Sequence, residues 1–247
     1  MSTLSVAHLG PTPYREGLAL QESLVRACAE RTTGDWLLYP DHPPVLTVGR
    51  GGSGESLRAD PETLRRLGIE VFEVARGGDF TWHGPGQLVG YMICDLSARD
   101  RDLRRFLRDL EQGLIAALRA WGLEGETSPG RTGVWVGGEK IASIGVAVRR
   151  WVSYHGFALN VAPDLRFFDL IHPCGLKGIH MTSVSERLGD KAPSLGDARG
   201  TVATAVARVL GYPGWTWDDP SGVPEGGPGE EAESGNHAAP QAGYGRL

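Results

Sequence analysis

Three strand-like segments follow one another closely in the second half of the chain, and they constrain the fold more than any other feature. Residues 132–136, 140–148 and 154–161 are rich in β-branched and aromatic side chains, and Gly137 and Gly138 separate the first two. Because two glycines between apolar strands favour a tight hairpin turn, these segments predict an antiparallel meander. The fold must therefore contain a sheet built around this meander.

Other segments predict the rest of the secondary structure. Residues 101–121 place apolar side chains at spacings of three and four with arginines between them, as in a helix with one buried face. Weaker helical patterns cover 15–29 and 196–210, and further strands are predicted at 36–39, 45–48, 69–75 and 87–96. This order predicts an α+β domain, with a mixed or antiparallel sheet flanked by helices.

The C-terminal stretch differs in composition from everything before it. From Asp218 onward the chain is crowded with Gly, Pro, Glu and Ala, and six acidic residues against one arginine account for the whole net charge of −5. Such a segment buries too little apolar surface to offset the entropy of ordering. We predict a single catalytic domain at 1–217 and a disordered acidic tail at 218–247. A balanced domain charge does not suggest a nucleic-acid partner.

The cysteine count and the absence of apolar runs suggest a compartment. The chain has three cysteines, an odd number, and its first twenty residues lack the basic start and apolar run of an export signal. No run of about 18 apolar residues occurs, as a membrane span would need. The sequence therefore predicts a cytoplasmic, soluble protein with free thiols.

A glycine-rich segment, RGGDFTWHGPGQ, runs from Arg76 to Gln87 between two predicted strands. Its glycines allow the backbone to approach a ligand closely, with N–H groups pointing outward. A plain turn is the alternative, but a turn does not need the polar side chains of Arg76, Thr81 and His83. We interpret the segment as a binding loop.

Lys140 begins a predicted strand, KIASIG, with an alternating pattern. It shares a face with Ala142 and Ile144, whereas Ser143 and Gly145 face the other way. A lysine among apolar side chains loses hydration of its ammonium form, which favours the neutral amine and allows it to act as a base. The alternative is a lysine that emerges into solvent at the strand end.

Cys174 differs from the other two cysteines in its surroundings. Cys28 lies on a predicted helix and Cys94 on an apolar strand, where a small buried hydrophobic residue is expected. Cys174 follows a proline and precedes a glycine, outside any periodic run, so it is the candidate nucleophile. A thiol needs a base or a positive neighbour to react as thiolate. The available partners are His172, His180 and Lys140.

A second glycine pattern, GRGGSG, has the spacing of a dinucleotide-binding loop at Gly49, Gly51 and Gly54. We expect Asp60 and Pro61 to interrupt the helix that should follow. Without a helix N-terminus the loop lacks a phosphate-binding dipole, so we expect no nucleotide site here.

Together these segments resemble the lipoyl(octanoyl) transferase family. The similarity runs from about Pro44 to Leu188 through RGGDFTWHGPGQ, GRTGVWVGGEKIASIGVAV, GFALNV, and HPCG with the following TSV. It implies the catalytic fold of biotin and lipoate protein ligases, and transfer of an octanoyl group from octanoyl-acyl carrier protein to a lysine of lipoyl domains, the first step of protein lipoylation. The implied acceptors are lipoyl domains of 2-oxoacid dehydrogenase complexes and the glycine cleavage H protein.

The resemblance also implies roles for individual residues. Cys174 would carry the acyl thioester and Lys140 would activate its thiol. The implied substrate-binding residues are Arg76, Gly77, Gly78, Asp79, Phe80, Thr81, Trp82, His83, Ser143, Ile144, Gly145, Gly156, Phe157 and Ala158. No metal and no cofactor are implied, because donor and intermediate are both thioesters and the transfer needs no ATP.

Three alternative functions stay open. An ATP-dependent lipoate or biotin ligase on the same scaffold would use Lys140 but would not need a cysteine. A thiol hydrolase would pair Cys174 with His172 or His180 and release the acid to water. A zinc-binding domain would use these two histidines with Cys174, although the segment lacks paired CxxC units.

Overall fold

The computed structural model describes residues 2–172 and 179–222 of the chain. Its strands are β1 (Leu4–Pro11), β2 (Trp36–Asp41), β3 (Val45–Val48), β4 (Glu70–Glu73), β5 (Phe80–His83), β6 (Gln87–Ile93), β7 (Glu126–Ser128), β8 (Arg131–Val136), β9 (Glu139–Arg149), β10 (Val152–Asn160) and β11 (Trp215–Trp217). Its α-helices are α1 (Tyr14–Ala29), α2 (Pro61–Leu67), α3 (Leu103–Ala120), α4 (Val184–Leu188) and α5 (Leu195–Val209). Short 3-10 helices lie at Gly54–Ser56, Leu96–Ala98, Leu165–Leu170, Gly189–Lys191 and Pro220–Gly222.

The strands form two sheets. The larger has eight strands in the order β11-β1-β2-β6-β10-β9-β8-β7, and the smaller has three in the order β4-β3-β5. In the larger sheet β1 runs parallel to β2 and β11, and the remaining neighbours are antiparallel. The predicted α+β class with a mixed sheet is therefore confirmed.

The predicted meander is present as β8, β9 and β10. Gly137 and Gly138 form its first turn with φ angles of +57° and +79°, which only glycine adopts without strain and which match the twist of a two-residue hairpin. β10 then pairs with β6 on its other side, with Gly156 opposite Tyr91. The meander thus takes the fifth to seventh positions of the eight-stranded sheet, with β10 near its centre.

Helices cover both faces of this sheet. Helices α3 and α5 pack against each other and bury Phe106, Leu110 and Val202 in the main core. Helix α1 packs on β6 and β10 with Leu24 and Val25. These three helices match the predicted helical patterns within two residues at each end. The Asp102 side chain caps the start of α3 by accepting a hydrogen bond from the backbone N–H of Arg105 at 2.9 Å.

Some predictions were wrong in detail. The segment 80–83, interpreted as loop, is strand β5, because Phe80 and Trp82 are buried against β3 in the small sheet's core. Asp60 and Pro61 begin a helix instead of interrupting one. The Asp60 side chain caps α2 by accepting from the Thr63 N–H at 2.8 Å, and Pro61 occupies its first turn.

Two further predictions concern the chain ends and the membrane. The predicted tail at 218–247 falls largely outside the described residues, which end at 222, so the domain boundary stays a prediction. Among residues 2–172 and 179–222, we find no helix with the length and apolar character needed to cross a bilayer.

Candidate active site

A cavity of about 380 Å³ lies between the segment 76–83, β9 and β10. Its lining includes nearly all the predicted substrate-binding residues, namely Arg76, Gly77, Gly78, Asp79, Phe80, Thr81, His83, Ser143, Ile144, Gly145, Gly156, Phe157 and Ala158. Segments that are far apart in sequence therefore meet at one place. Their role in binding stays a prediction.

Trp82 is the predicted residue that does not line the cavity. Its side chain is fully buried in the core of the small sheet and stacks on Phe167, with ring centroids 5.0 Å apart and planes 5° apart. Strand alternation explains this position, because Trp82 points to the opposite face of β5 from Thr81 and His83. We assign it a packing role.

Lys140 lies in the cavity wall and is only 2% exposed. Its Nζ lies 3.3 Å from the carbonyl oxygen of Thr132 and 5.2 Å from the centroid of the Trp135 ring. The alternative of a lysine that emerges into solvent is therefore wrong.

Gly133 makes room for the Lys140 side chain. A Cβ atom at Gly133 would lie 2.7 Å from Lys140 Cε and 2.6 Å from the carbonyl oxygen of Ala142, and its φ is +139°. The Gly133 N–H donates to the buried carboxylate of Glu111 at 2.9 Å. Glycine is thus required at this point of β8.

Cys174, the predicted nucleophile, lies outside the described residues, as do Pro173 and 175–178. The described chain on both sides is attached to the cavity. The N–H of His172 donates to the carbonyl oxygen of Ser56 at 2.7 Å, and the Ser56 hydroxyl donates to Asp79 Oδ2 at 2.5 Å. Ile179 lines the cavity, and the carbonyl of His180 accepts from the Lys140 N–H at 2.9 Å.

The two glycine-rich loops pack against each other. The N–H groups of Arg50 and Gly51 donate to the carbonyl oxygens of Arg76 and Gly78 at 3.0 Å each. A Cβ at Gly49 would lie 2.4 Å from the Gly78 carbonyl oxygen, so this close approach requires glycine. The spacing that resembles a dinucleotide loop is therefore explained by backbone packing, with these donors already used inside the protein.

Arg76 is held by backbone and hydroxyl oxygens. Its Nη2 donates to the carbonyl and Oγ1 of Thr47 at 2.9 and 2.7 Å, and its Nη1 donates to the carbonyl of Gly77 at 3.1 Å. A Cβ at Gly145 would lie 2.9 Å from the Gly77 carbonyl oxygen. The arginine thus fixes the loop against β3, and the Gly77 N–H attaches the loop to β9 by donating to the carbonyl oxygen of Val146 at 3.1 Å.

A group of buried polar rings that the sequence did not single out lies at one end of the cavity. Tyr14, Tyr91 and His155 line it beside His83. His42 lies behind them, with its Nε2 2.5 Å from the Tyr91 hydroxyl. Burial lowers the pKa of His83 and of His155 to about 3 each, so both rings are neutral. The available signal was a polar residue within an otherwise apolar strand, as in GYMI and SYHGF.

The two described cysteines are buried, as predicted. Cys94 Sγ lies 3.5 Å from Asp35 Oδ2, and Cys28 Sγ lies 3.7 Å from Asp35 Oδ1. Burial, reinforced by the Asp35 carboxylate, raises the pKa of the Cys94 thiol to about 12 and raises that of Cys28 strongly. Neither thiol is suited to act as a nucleophile at neutral pH.

Metal-ligating side chains do not cluster in the part of the chain that the structure describes. No group of three or more His, Cys, Asp or Glu side chains there is arranged to hold a metal ion. The zinc set considered above includes Cys174, which lies outside that part.

Curated proteins similar to this chain are named octanoyltransferase. The one from Geobacter metallireducens is 49% identical over 207 residues, which cover 84% of this chain and 93% of that protein. The one from Rubrobacter xylanophilus is 50% identical over 207 residues, covering 83% and 92%. The predicted resemblance is thereby confirmed.

Solved structures and a family model agree on the fold. The crystal structure of lipoate-protein ligase A bound with ATP superposes with a TM-score of 0.73 at 18% identity, covering 88% of this chain and 89% of that one. Protein Ta0514 from T. acidophilum gives a TM-score of 0.69, also at 18% identity and covering 88% and 89%. The model described as "Lipoyl protein ligase A/B catalytic domain" matches residues 13–207. Because that match spans most of the sequence, the chain belongs to the lipoyl protein ligase A/B catalytic domain family.

Proposed function

We propose that this chain transfers an octanoyl group from an acyl carrier protein to a lysine of a lipoyl domain through a thioester on Cys174. Relatives named octanoyltransferase, about half identical over most of both chains, support acyl transfer in lipoylation. The main observation in support of a route through Cys174 is the buried amine of Lys140 in the cavity wall. The Lys140 backbone is hydrogen-bonded to His180, which lies at one end of the segment that contains Cys174.

The first half-reaction needs a thiolate. In the proposal Lys140 Nζ accepts the thiol proton of Cys174, and the sulfur attacks the carbonyl carbon of the donor thioester. The bond between that carbon and the carrier's sulfur breaks, and the carrier thiolate takes the proton from the Lys140 ammonium. One thioester replaces another, so the two sides are nearly balanced in energy.

The second half-reaction forms an amide. The acceptor lysine attacks the Cys174 thioester as a neutral amine, and the Cys174 thiolate leaves. The attacking nitrogen must lose one proton to become an amide nitrogen, and Lys140 accepts that proton. Formation of an amide from a thioester drives this step, so no nucleotide is consumed.

The cavity suits a medium-length acyl chain. Ile144 and Phe157 offer apolar surface between Lys140 and the opposite end. Each methylene that leaves water for such surface contributes about 0.8 kcal/mol, so an eight-carbon chain is distinguished from a much shorter one by contact area. The predicted binding residues of β9 and β10 would provide that contact.

Two alternatives remain as outcomes of a test. The similarity to ligase structures is at 18% identity, which supports the shared fold and not ATP-dependent ligation. A hydrolase would use the same thioester but pass it to water. The donor and acceptor partners, namely octanoyl-acyl carrier protein, lipoyl domains of 2-oxoacid dehydrogenases and the glycine cleavage H protein, belong to the proposal. So does a cytoplasmic location, which suits the free thiols of Cys28 and Cys94.

The test is a transfer assay with purified protein, octanoyl-acyl carrier protein and a lipoyl domain, without ATP. We expect the lipoyl domain to gain one octanoyl group, and little free octanoate to form when the acceptor is omitted. Equal release of octanoate with and without acceptor would establish the hydrolase instead. A requirement for ATP and free octanoate would establish the ligase.

A further inference from the structure

The end of the cavity opposite Lys140 is polar, which an aliphatic chain end does not require. Along β9 the lining runs from Lys140 to Val146, and Val146 pairs with His155 on β10. Six residues of strand separate these two points by about 20 Å. His155 therefore marks the opposite end, which we call the far end, together with Tyr14, His83 and Tyr91.

A chain of buried hydrogen bonds fixes the hydrogen-bonding state of His83. The carbonyl of Thr182 can only accept, so Asn160 approaches it with its amide nitrogen, at 3.0 Å. The Asn160 oxygen then accepts from Gln87 Nε2 at 3.0 Å, which leaves the Gln87 oxygen for His83 Nδ1 at 2.8 Å. His83 must therefore donate from Nδ1.

The consequence is a hydrogen-bond acceptor on a side chain that lines the cavity. A neutral imidazole carries one proton, and this one is on Nδ1, so Nε2 of His83 offers a lone pair. The ring is neutral because burial lowers its pKa to about 3. His83 is thus suited to a ligand group that donates a hydrogen bond, such as a hydroxyl.

His155 supports the same interpretation of the far end. Its φ of +58° lies in the left-handed region, which is strained for a non-glycine residue in a strand. Its Nε2 is buried and has no hydrogen-bond partner among residues 2–172 and 179–222. Strain and an unpaired nitrogen at one place are features of ligand sites more than of packing cores.

We infer that the far end is a subsite for acyl chains that carry a hydroxyl at the end remote from the thioester, with His83 Nε2 as the acceptor of that hydroxyl. This inference rests on the proposed function, because it takes Lys140 to mark the reacting end. The substrate class is then medium-chain ω-hydroxyacyl thioesters alongside the unsubstituted octanoyl thioester.

The size of the change in kcat/KM caused by the hydroxyl distinguishes this subsite from an apolar one. A hydroxyl buried without a partner would lower kcat/KM about 30-fold, which corresponds to about 2 kcal/mol at 1.4 kcal/mol per tenfold. A hydroxyl that meets His83 recovers most of that loss. We therefore expect the ω-hydroxyacyl chain to be transferred within about fivefold of its unsubstituted counterpart.

The experiment compares matched donors on the full chain. Octanoyl and 8-hydroxyoctanoyl carrier proteins form one pair, and decanoyl and 10-hydroxydecanoyl carrier proteins form a second, so that two chain lengths reach into the cavity. A kcat/KM ratio, hydroxylated over unsubstituted, above about one fifth in either pair supports the inference. A ratio below that value in both pairs overturns it. Absence of octanoyl transfer by the wild type would instead refute the proposed function.

Two variants assign the effect to His83. His83→Leu removes the acceptor and should lower the ratio about tenfold, whereas His83→Gln retains a hydrogen-bonding group and should restore part of it. The ratio is measured within each variant, so a general loss of activity cancels. An unchanged ratio in His83→Leu would overturn the role of His83. Should His83→Leu not fold, as judged by its thermal unfolding, the ratio in His83→Gln and in the wild type decides.

Discussion

Two polar regions inside this fold differ in what their reactive side chains face. The cavity between the segment 76–83, β9 and β10 has Lys140 in its wall, bordering an internal space of about 380 Å³. The second region, which we call the Asp35 cluster, consists of Cys28, Asp35, Cys94, Arg99 and Tyr212 and directs its groups at one another. Asp35 Oδ2 accepts from the Tyr212 hydroxyl at 2.5 Å, and Arg99 Nε donates to Cys94 Sγ at 3.2 Å.

The comparison shows that a cysteine's surroundings decide its chemistry. In the Asp35 cluster a carboxylate beside the sulfur opposes a second negative charge, so burial and Asp35 together raise the pKa of Cys94 to about 12. Next to a lysine the same thiol would be favoured as thiolate. The assignment of Cys174 as nucleophile depends on this difference.

The largest expected effect is a contrast between two cysteine substitutions. Cys174→Ala should lower octanoyl transfer at least about 10³-fold, because the attacking atom is removed. Cys94→Ala should leave kcat/KM within about twofold and lower the free energy of unfolding by roughly 1 kcal/mol. Transfer assays and urea denaturation of both variants provide the measurement. Comparable activity losses in the two would remove the distinction between the regions.

The next effect concerns Lys140. Lys140→Met retains the length and apolar stem of the side chain but removes the base, so we expect kcat to fall about 10²–10⁴-fold. Alkylation of Cys174 by iodoacetamide near neutral pH should slow as well, because less thiolate is present. Mass mapping of the alkylated peptide measures this rate. A rate equal to the wild type's would show that another group activates the thiol.

A smaller effect is expected from the glycine that borders Lys140. Gly133→Ala places a methyl group against Lys140 Cε and the Ala142 carbonyl oxygen, so the amine must move, and displacement by about 1 Å costs up to about 10²-fold in rate. Gly138→Ala is the matched control, since its position has positive φ but open space around it. Both variants are assayed for kcat and thermal stability. Equal kcat losses would mean that backbone strain alone matters.

The smallest effect for each side chain is on stability, and it arises from the buried histidines. Burial lowers the pKa of His42, His83 and His155, so the folded state keeps them neutral while the unfolded chain binds protons below about pH 6.5. Stability from these groups is complete above that pH and is lost as the pH falls below it. His83 and His155, whose pKa is lowered to about 3, should each contribute roughly 2 kcal/mol less at pH 5 than at pH 7. Urea unfolding at both pH values measures the loss, and His83→Gln should reduce it; a pH-independent free energy of unfolding would contradict the prediction.

Local patterns were sufficient to predict most of the fold. The meander and α3 follow from periodicity and glycine turns, and the predicted segments match β8 to β10 within two residues. Strand β5 was missed because the glycines around it suggested a loop, and its burial depends on pairing with β3. Helix α2 was missed because Asp60 and Pro61 were interpreted as a break, although an acidic cap followed by proline is a helix start.

The site was predictable in part for a related reason. Arg76 and Gly145 could be proposed from the sequence because each lies within a contiguous motif that resembles the family. The contacts that matter most join distant segments, such as Lys140 with Thr182 and His42 with Tyr91. Only tertiary structure places these together, so no local pattern predicts them.

The most direct test of the account is the intact mass of the protein after brief exposure to octanoyl-acyl carrier protein without an acceptor. The account predicts a gain of one octanoyl group on the wild type, released by hydroxylamine, with no gain on Cys174→Ala and a slow gain on Lys140→Met. An octanoyl group that appears on Cys174→Ala at the wild-type rate, or that never appears on a wild type active in transfer, would contradict it.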